Sequence, residues 1–518
     1  MKLALPITSR GCLALIGLTL LVGGCGSGSG ATGPISTESG PVRGSRTGAV
    51  EEYLGIPYAA APVGELRWLP PEPHGPWQGV LDAFDFGSEC TQPGSSPGVI
   101  VGSEDCLFLN VYRPRRRPQA PLPVMVWIHG GALTILSGAF DVPPALLEGD
   151  DVIVVSINYR LGVLGFFAHP SLDAEGHLNA NYGLMDQQMA LRWVRRNIAA
   201  FGGDPDRITI FGTSAGALSV YSQLASPIAA GLFDRAIAQS GSYEGLVSYE
   251  TSIVSISEAQ AAGVAFANQL GCSTAACLRA LPADRLVAAE PSNTYPILDG
   301  AVLTQTPGAA FASGQFNRMP VIAGTSHDDY RFVVAIDYDF GPGPLTPAEY
   351  PGAVARMLAL PPEDPFVSTV LEQYPLSHYD GSAPIALGAA GTDRVFACPA
   401  LSADESLAQW VPTYAYEFND EHAPSFFDRP VSFPLGAYHS SETLYLLNTH
   451  LLNAEQLELS RAWIRYWTTF AATGDPNAPG SPVWPLFGAA QEMQSMKPPA
   501  PVTESGFATD HMCSFWLP

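Results

Sequence analysis

Residues 208–225 read ITIFGTSAGALSVYSQLA, and this stretch decides the fold. A short β-branched run at 208–211 is followed by the pattern G-x-S-x-G centred on Ser214, and then by an apolar, helix-like segment at 215–225. A strand, a sharp turn around a serine and a helix form the nucleophile turn of many serine hydrolases, in which the hydroxyl projects from the edge of the sheet. The stretch therefore predicts a nucleophilic Ser214 on an α/β scaffold.

A second serine, Ser96, lies in the same G-x-S-x-G pattern, so the pattern alone is weak. Ser96 is surrounded by proline, glycine and serine, with neither a strand-like run before it nor a helix-like run after it. The turn requires both flanking elements. The surrounding sequence thus favours Ser214 over Ser96.

The segments on either side of this stretch continue the alternation of strands and helices. Uninterrupted apolar runs at 124–128 (VMVWI) and 152–157 (VIVVSI) predict buried strands, and residues 182–201 have apolar positions at helical spacing. Such alternation predicts a mostly parallel sheet covered by helices. We find no second linker or repeat, and we expect residues 41–518 to form one catalytic domain.

Composition excludes several classes of protein. The 518 residues have a formal net charge of −24, which argues against nucleic-acid binding. Hydrophobic residues make up 47% and charged residues 14%, a balance that excludes a disordered chain. No interior apolar run is long enough to predict a membrane span.

The N-terminus resembles a targeting segment. Lys2 and Arg10 precede an apolar run at 13–22, and small residues then lead to Cys25. This order predicts a signal peptide over residues 1–25 and therefore export. Cys25 also lies where bacterial lipoproteins are lipidated, although ordinary cleavage is the alternative. The Gly/Ser-rich residues that follow predict a flexible tether over 26–40, so the protein is either secreted or anchored by lipid to the bacterial cell envelope.

Six further cysteines agree with export. They allow fifteen disulfide pairings, and sequence alone does not choose among them. Their spacing, without CxxC or a nearby histidine, predicts no metal site.

The run at 124–128 ends in His129, two glycines and Ala132. Small residues let backbone N–H groups approach a developing oxyanion, so this turn is a candidate oxyanion hole.

With these motifs, the chain resembles the type-B carboxylesterase family, the cholinesterase-like branch of the α/β-hydrolase fold, and in particular its bacterial, para-nitrobenzyl-esterase-like members. Further matching motifs occur in order: LGIPY at 54–58, PVGELR at 62–67, EDCLFLN at 104–110, NYRLG at 158–162, NYGLMDQ at 181–187, FGGDP at 201–205 and AQSG at 238–241. The resemblance implies a large, mostly parallel sheet flanked by helices. It also implies a serine esterase that needs no cofactor.

The resemblance also implies roles for individual residues. Ser214 matches the nucleophile and His439 the base. Asp329 matches the triad acid, where relatives commonly carry glutamate, and Asp328 is the alternative. The backbone N–H groups of Gly131, Ala132 and Ala215 match the oxyanion hole.

The same resemblance implies structural bonds. The expected disulfides are Cys90–Cys106, Cys272–Cys277 and Cys398–Cys513. The expected ion pairs are Arg67–Glu104 and Arg160–Asp186.

Departures from the family pattern bear on the substrate. The loop between Cys90 and Cys106 has no aromatic residue, and Thr213 stands where relatives carry an acidic residue. Aromatic faces attract quaternary ammonium groups, so both changes argue against choline esters and favour neutral esters. The alternatives are a specialised hydrolase or lipase acting on a xenobiotic, toxin or polyester, and a non-catalytic binding protein. We expect a monomer.

Overall fold

An eleven-stranded sheet forms the centre of this computed structural model. The structure describes residues 30–116, 119–140, 145–149, 151–178, 180–241, 253–290 and 294–517. In chain order the strands are β1 (Ser45–Thr47), β2 (Val50–Pro57), β3 (Phe108–Pro114), β4 (Leu122–Ile128), β5 (Ile153–Ile157), β6 (Gly203–Thr213), β7 (Arg235–Gln239), β8 (Val321–Ser326), β9 (Thr413–Phe418), β10 (Met493–Met496) and β11 (Val502–Glu504).

The order of strands across the sheet is β11-β10-β9-β8-β7-β6-β4-β5-β3-β2-β1. Every neighbouring pair from β10 to β5 is parallel, and the pairs at both edges are antiparallel. The sheet is thus mostly parallel, as predicted. Because β6, β7 and β8 are adjacent and parallel, the loops that follow them meet at one edge of the sheet.

Both faces of the sheet are buried. In β4, Val124, Val126 and Ile128 pack into one hydrophobic cluster, while Met125 and Trp127 pack into another on the opposite face. Parallel strands covered on both faces carry continuous apolar runs, which explains why the runs at 124–128 and 152–157 do not alternate with polar residues.

Helices cover these two faces. Those of seven or more residues are α1 (Tyr182–Asn197), α2 (Ala215–Ala225), α3 (Ile256–Gln269), α4 (Ala283–Ala289), α5 (Pro307–Ser313), α6 (Tyr350–Leu358), α7 (Pro365–Gln373), α8 (Ala383–Gly391), α9 (Cys398–Ala408) and α10 (Ala454–Thr473). The predicted helix at 182–201 is α1 followed by a 3-10 turn, Ile198–Phe201. Across the described ranges, no helix has the length and apolar character needed to cross a bilayer.

The predicted tether is wrong at its C-terminal end. Ile35–Thr37 is a strand that pairs with Gly40–Arg43, and the N–H of Gly44 donates to Thr32 Oγ1 at 2.9 Å. The Gly/Ser composition that suggested a tether ends near residue 33, before an alternating β-prone run. Residues 1–29, which include Cys25 and the predicted signal peptide, lie outside the described residues.

The described residues contain three disulfides: Cys90–Cys106, Cys272–Cys277 and Cys398–Cys513. They are the pairs that the family resemblance implies. Cys398 begins α9, and Cys513 lies in a short C-terminal helix. The third bond therefore ties the end of the described chain to the helices beside β9.

We expect the loss of Cys398–Cys513 to destabilise the protein far more than the loss of Cys272–Cys277. The first bond joins cysteines that are 115 positions apart in the sequence, and the second joins cysteines that are 5 positions apart. Loop-closure entropy gives about 5 kcal/mol for the long loop and about 2 kcal/mol for the short one. Thermal unfolding of the two double-alanine variants checks this order, and equal shifts in midpoint would contradict it.

Candidate active site

Ser214 lies at the turn between β6 and α2, in a backbone conformation that is rare for a residue with a side chain. Its φ is 61° and its ψ is −126°. The turn is held from both sides, because Ser214 N–H donates to the carbonyl of Gln239 at 2.9 Å and its own carbonyl accepts from Leu218 N–H at 2.9 Å. Such strain persists only where the surrounding structure enforces it, and it clusters at functional sites.

The residue two positions after Ser214 must be a glycine because β4 approaches it closely. A Cβ atom on Gly216 would lie 2.1 Å from the carbonyl oxygen of Ile128. A Cβ atom on Gly130 would likewise lie 3.2 Å from the Cβ of Ser214. The turn after β4 and the turn after β6 therefore touch, which brings the candidate oxyanion loop directly against the serine.

The loop after β4 has an unusual backbone that exposes N–H groups. Gly131 has a φ of 90° and Ala132 a φ of 53°. Among the described residues, the N–H groups of Gly131 and Ala132 have no backbone acceptor, whereas the carbonyl of Gly131 accepts from Thr134 and Ile135. Ala215 is the first residue of α2, where a backbone N–H has no acceptor within its own helix. All three candidate donors are thus available to an anion.

The buried side chain of His129 stabilises this loop. Burial lowers the pKa of its imidazole to about 4, so the ring is neutral. Its Nδ1 donates to the carbonyl of Gly130 at 2.9 Å, and the ring stacks on Tyr159 with centroids 4.4 Å apart. Tyr159 Oη in turn donates to the carbonyl of His129 at 2.8 Å. This residue, which sequence analysis noted only as part of the motif, fixes the shape of the loop.

His439 and Asp329 are in direct contact. His439 Nδ1 donates to Asp329 Oδ1 at 2.5 Å. The other carboxylate oxygen, Oδ2, accepts from Thr325 Oγ1 at 2.5 Å and from the N–H of Ser326 at 2.9 Å. Asp329 is fully buried, and with both oxygens bound it holds the imidazole of His439 in one orientation. The Nε2 atom of that ring is then the one left for proton transfer.

Asp328, the alternative acid, points to different partners. Its carboxylate lies 2.8 Å from Arg331 and accepts from the N–H of Ala437 at 3.0 Å. Burial raises the pKa of this carboxyl, but hydrogen bonding to His327 and the charge of Arg331 outweigh it, so the net shift is downward. Asp328 thus joins the acid loop to the histidine loop but does not orient His439.

A further contact links the serine turn to the histidine loop. Thr213 Oγ1 donates to Glu442 Oε1 at 3.1 Å, and both side chains are buried. Thr213 precedes Ser214, and Glu442 lies three residues after His439. Ser214, His439 and Asp329 therefore occupy one end of the sheet, beside the loop with Gly131 and Ala132. The buried position of Glu442 could not be predicted, because nothing in its sequence context distinguishes it from a solvent-exposed glutamate.

Glu442 leads to a pH-dependent prediction. Burial and the nearby Asp329 carboxylate raise the pKa of Glu442 from 4.5 to about 7, although His439 opposes the shift. The folded protein therefore holds this proton to a higher pH than the unfolded chain does. The stabilisation from the protonated form is full below the unfolded pKa of 4.5 and is lost as the pH rises through about 7.

We expect Glu442→Gln to become more stable relative to the parent as the pH rises from about 5 to 8, by up to about 3 kcal/mol. Thermal unfolding of both proteins across this range checks the trend. Glu458→Gln, which removes a carboxyl at an exposed position, is the matched control. Parallel curves for Glu442→Gln would contradict the buried, proton-retaining carboxyl.

Two phenylalanine rings lie beside His439. Phe396 and Phe332 lie with ring centroids 5.0 Å and 5.6 Å from the imidazole, and Phe332 stacks on the partly exposed Phe427. These residues come from separate segments of the chain, so no sequence pattern joins them. They give the site an apolar wall next to the histidine.

The remaining predicted contacts can also be located. Arg67 pairs with Glu104 at 2.6 Å and Arg160 with Asp186 at 2.7 Å, as the family resemblance implies.

Ser96 lies exposed in the turn between two short strands, Gln92–Pro93 and Ile100–Val101. It has neither the backbone strain nor the supporting loops of Ser214.

Comparisons with known proteins show the family of the chain. The model of the "Carboxylesterase family" matches residues 32–516. A cocaine esterase of Oryctolagus cuniculus is 36% identical over 491 residues, which cover 88% of this chain and 90% of the relative. A pyrethroid hydrolase of Mus musculus is 35% identical, covering 92% and 89%. An acylcarnitine hydrolase of Rattus norvegicus is 36% identical, covering 88% and 84%.

These relatives are mammalian, so the bacterial subgroup suggested by the motifs stays a prediction. The extent of the family match, the mostly parallel sheet and the relatives that hydrolyse esters lead to one conclusion. The chain belongs to the carboxylesterase family and is an ester hydrolase with the α/β-hydrolase fold.

Proposed function

We propose that the protein hydrolyses neutral carboxylic esters through an acyl-enzyme formed on Ser214. The Nε2 atom of His439 takes the hydroxyl proton while the serine oxygen attacks the ester carbonyl. The N–H groups of Gly131, Ala132 and Ala215 stabilise the oxyanion, each contributing about 2.7–4 kcal/mol to the lowering of the barrier. His439 then protonates the leaving alcohol, and water attacks the acyl-enzyme to regenerate the serine.

The observation that carries this proposal is the short hydrogen bond between His439 and the fully buried Asp329. A buried carboxylate in that position holds the histidine in its productive tautomer and stabilises the imidazolium that forms. The contact between Thr213 and Glu442 keeps the serine turn beside the histidine loop. A non-catalytic binding protein would have no need of this arrangement.

Neutral esters are the substrate class that the site supports best. Thr213 carries no charge. The pKa of Glu442 is raised to about 7, so its carboxyl group is neutral at lower pH. Phe332 and Phe396 offer apolar surface beside His439. The pyrethroid hydrolase among the relatives suggests tolerance of a large neutral ester. The second candidate is a lipase that acts at a lipid–water interface. Rates measured on a series of esters of increasing acyl-chain length distinguish such a lipase from an esterase.

We expect kcat/KM for S-(3,3-dimethylbutyl) thiobutyrate to exceed that for butyrylthiocholine by at least about tenfold, because the loop between Cys90 and Cys106 has no aromatic residue that could bind a quaternary ammonium group. The two thioesters differ only in the carbon atom that replaces the ammonium nitrogen, so the comparison isolates the charge. Equal or reversed values would contradict the preference for neutral esters. Labelling by an organophosphate probe, lost in Ser214→Ala, distinguishes a serine hydrolase from a binding protein.

We also propose that the protein is exported and lipidated at Cys25. Three disulfides support export, because such bonds persist in oxidising compartments. Lipidation rests on the small residues before Cys25 and the Gly/Ser-rich segment after it. Mass spectrometry of the mature N-terminus tests the proposal, and an unmodified first residue other than Cys25 would overturn the lipid anchor.

A further inference from the structure

Two histidines and a glutamate meet outside the serine site. His327 follows β8, Glu417 lies in β9, and His511 lies in the C-terminal segment just before Cys513. One side-chain nitrogen or oxygen from each residue lies within 4.8 Å of the others. Within the described ranges, these three form the one group of this kind with the composition and spacing of metal ligands. We call them the His327 cluster.

The two imidazoles are oriented in the same way. His511 Nδ1 lies 2.7 Å from Asp393 Oδ1, and His327 Nδ1 lies 3.3 Å from Asp328 Oδ1. In each ring a carboxylate therefore engages Nδ1 and leaves Nε2 for another partner. Metal-binding histidines almost always have this outer hydrogen bond, which fixes the tautomer and raises the basicity of the ligating nitrogen.

The glutamate is oriented as well. Glu417 Oε1 lies 2.6 Å from His511 Nε2, while Glu417 Oε2 accepts from Asn419 Nδ2 at 2.8 Å. The His511 and Glu417 side chains are 3% and 12% exposed, whereas that of His327 is 46% exposed. The cluster thus has a buried His511, a mostly buried Glu417 and an open side at His327 through which an ion can enter.

The charge around the cluster is also suited to a divalent cation. Three carboxylates surround it, those of Asp328, Asp393 and Glu417, and one guanidinium, that of Arg331, pairs with Asp328. With both imidazoles neutral, three negative groups and one positive group leave two negative charges. One divalent cation balances them.

We propose that His327, Glu417 and His511 bind a divalent transition-metal cation of the zinc type. Two imidazole nitrogens and one carboxylate oxygen are a ligand set that Zn²⁺ prefers, with water in a fourth position. Bond lengths of about 2.0–2.2 Å place tetrahedral ligand atoms about 3.3–3.6 Å apart. Glu417 and His511 must therefore separate slightly, and the exposed His327 must move inward by a rotation of its side chain.

The competing state of the same residues is a protonated His511 between two carboxylates. Burial lowers the pKa of His511, but hydrogen bonds to Asp393 and Glu417 outweigh it and raise the pKa to about 10. In that state the half-exposed His327 contributes little, because the bridge consists of His511, Asp393 and Glu417 alone. The dependence on His327 therefore separates a metal site from a protonated bridge.

The test is titration of the full-length, chelator-treated protein with Zn²⁺ alone, followed by calorimetry and by thermal unfolding. We expect one Zn²⁺ per chain and a rise in unfolding midpoint, because a ligand that binds only the folded state stabilises it. His327→Ala removes one of three ligands and should weaken binding by at least about 100-fold. As His327 is half-exposed, this variant should fold even if changes at buried His511 do not.

His378→Ala, at another exposed histidine, is the matched control and should bind Zn²⁺ like the parent. Co²⁺ gives an independent readout, since a tetrahedral nitrogen–oxygen site produces a visible absorption band that His327→Ala should lose. Mg²⁺, which prefers oxygen ligands, should not compete. Absence of stoichiometric Zn²⁺ binding, or equal affinity in His327→Ala and the parent, would overturn the proposal and leave only the protonated bridge.

Discussion

Ser214→Ala should lower kcat for nitrophenyl esters by about a million-fold, the loss typical of removing a serine nucleophile from an intact triad. The reason is that without the hydroxyl no acyl-enzyme can form, although the oxyanion loop remains to bind substrate. Steady-state assays at high enzyme concentration measure the residual rate. Burst kinetics should disappear entirely, because the burst reports accumulation of the acyl-enzyme.

The chain offers its own matched control in Ser96, which lies in the same G-x-S-x-G pattern but in an exposed turn. Ser96→Ala should keep the full rate. Unfolding midpoints of both variants verify that neither has lost the fold. A Ser214→Ala protein with more than about one per cent of the parental rate would mean that another group performs the attack.

Asp329→Asn should lower kcat by about ten-thousand-fold. An amide can still contact His439 Nδ1, but its NH2 group favours the wrong tautomer of the imidazole, and it cannot stabilise the imidazolium. The loss should appear in kcat more than in KM, since the carboxylate does not face the substrate. Measurement of both constants with a soluble ester checks this division.

Asp328→Asn separates the two neighbouring acids. Asp328 pairs with Arg331 and the N–H of Ala437, so its substitution should weaken the link between the two loops and lower stability. We expect kcat to fall by no more than about tenfold, because the His439–Asp329 bond remains. If Asp328→Asn instead showed the larger loss, the assignment of the triad acid would be reversed.

Much of this fold could be predicted from local sequence. The runs at 124–128, 152–157 and 208–211 are strands because continuous β-branched residues suit a sheet buried on both faces. The serine was predictable because its turn is encoded within a few residues. The N-terminal strand Ile35–Thr37 was not, because it has only 3 residues and the preceding glycines dominated the composition.

The parts of the site that escaped prediction depend on distant segments. Asp328 and Asp329 are chemically identical neighbours, and only the fold directs one to Arg331 and the other to His439. Phe396 reaches His439 from a helical segment far along the chain from Phe332. His511 contacts His327 although the two residues lie 184 positions apart in the sequence. No spacing rule for cysteines and histidines covers such a separation.

The strained backbone of Ser214 has a consequence for engineering. Glycine adopts a φ of 61° and a ψ of −126° without penalty, whereas a residue with a Cβ atom pays about 1–3 kcal/mol for such a conformation. A library selected only for yield or heat resistance would therefore enrich Ser214→Gly, an inactive but more robust protein. Improvement of this enzyme by directed evolution must score turnover in every round.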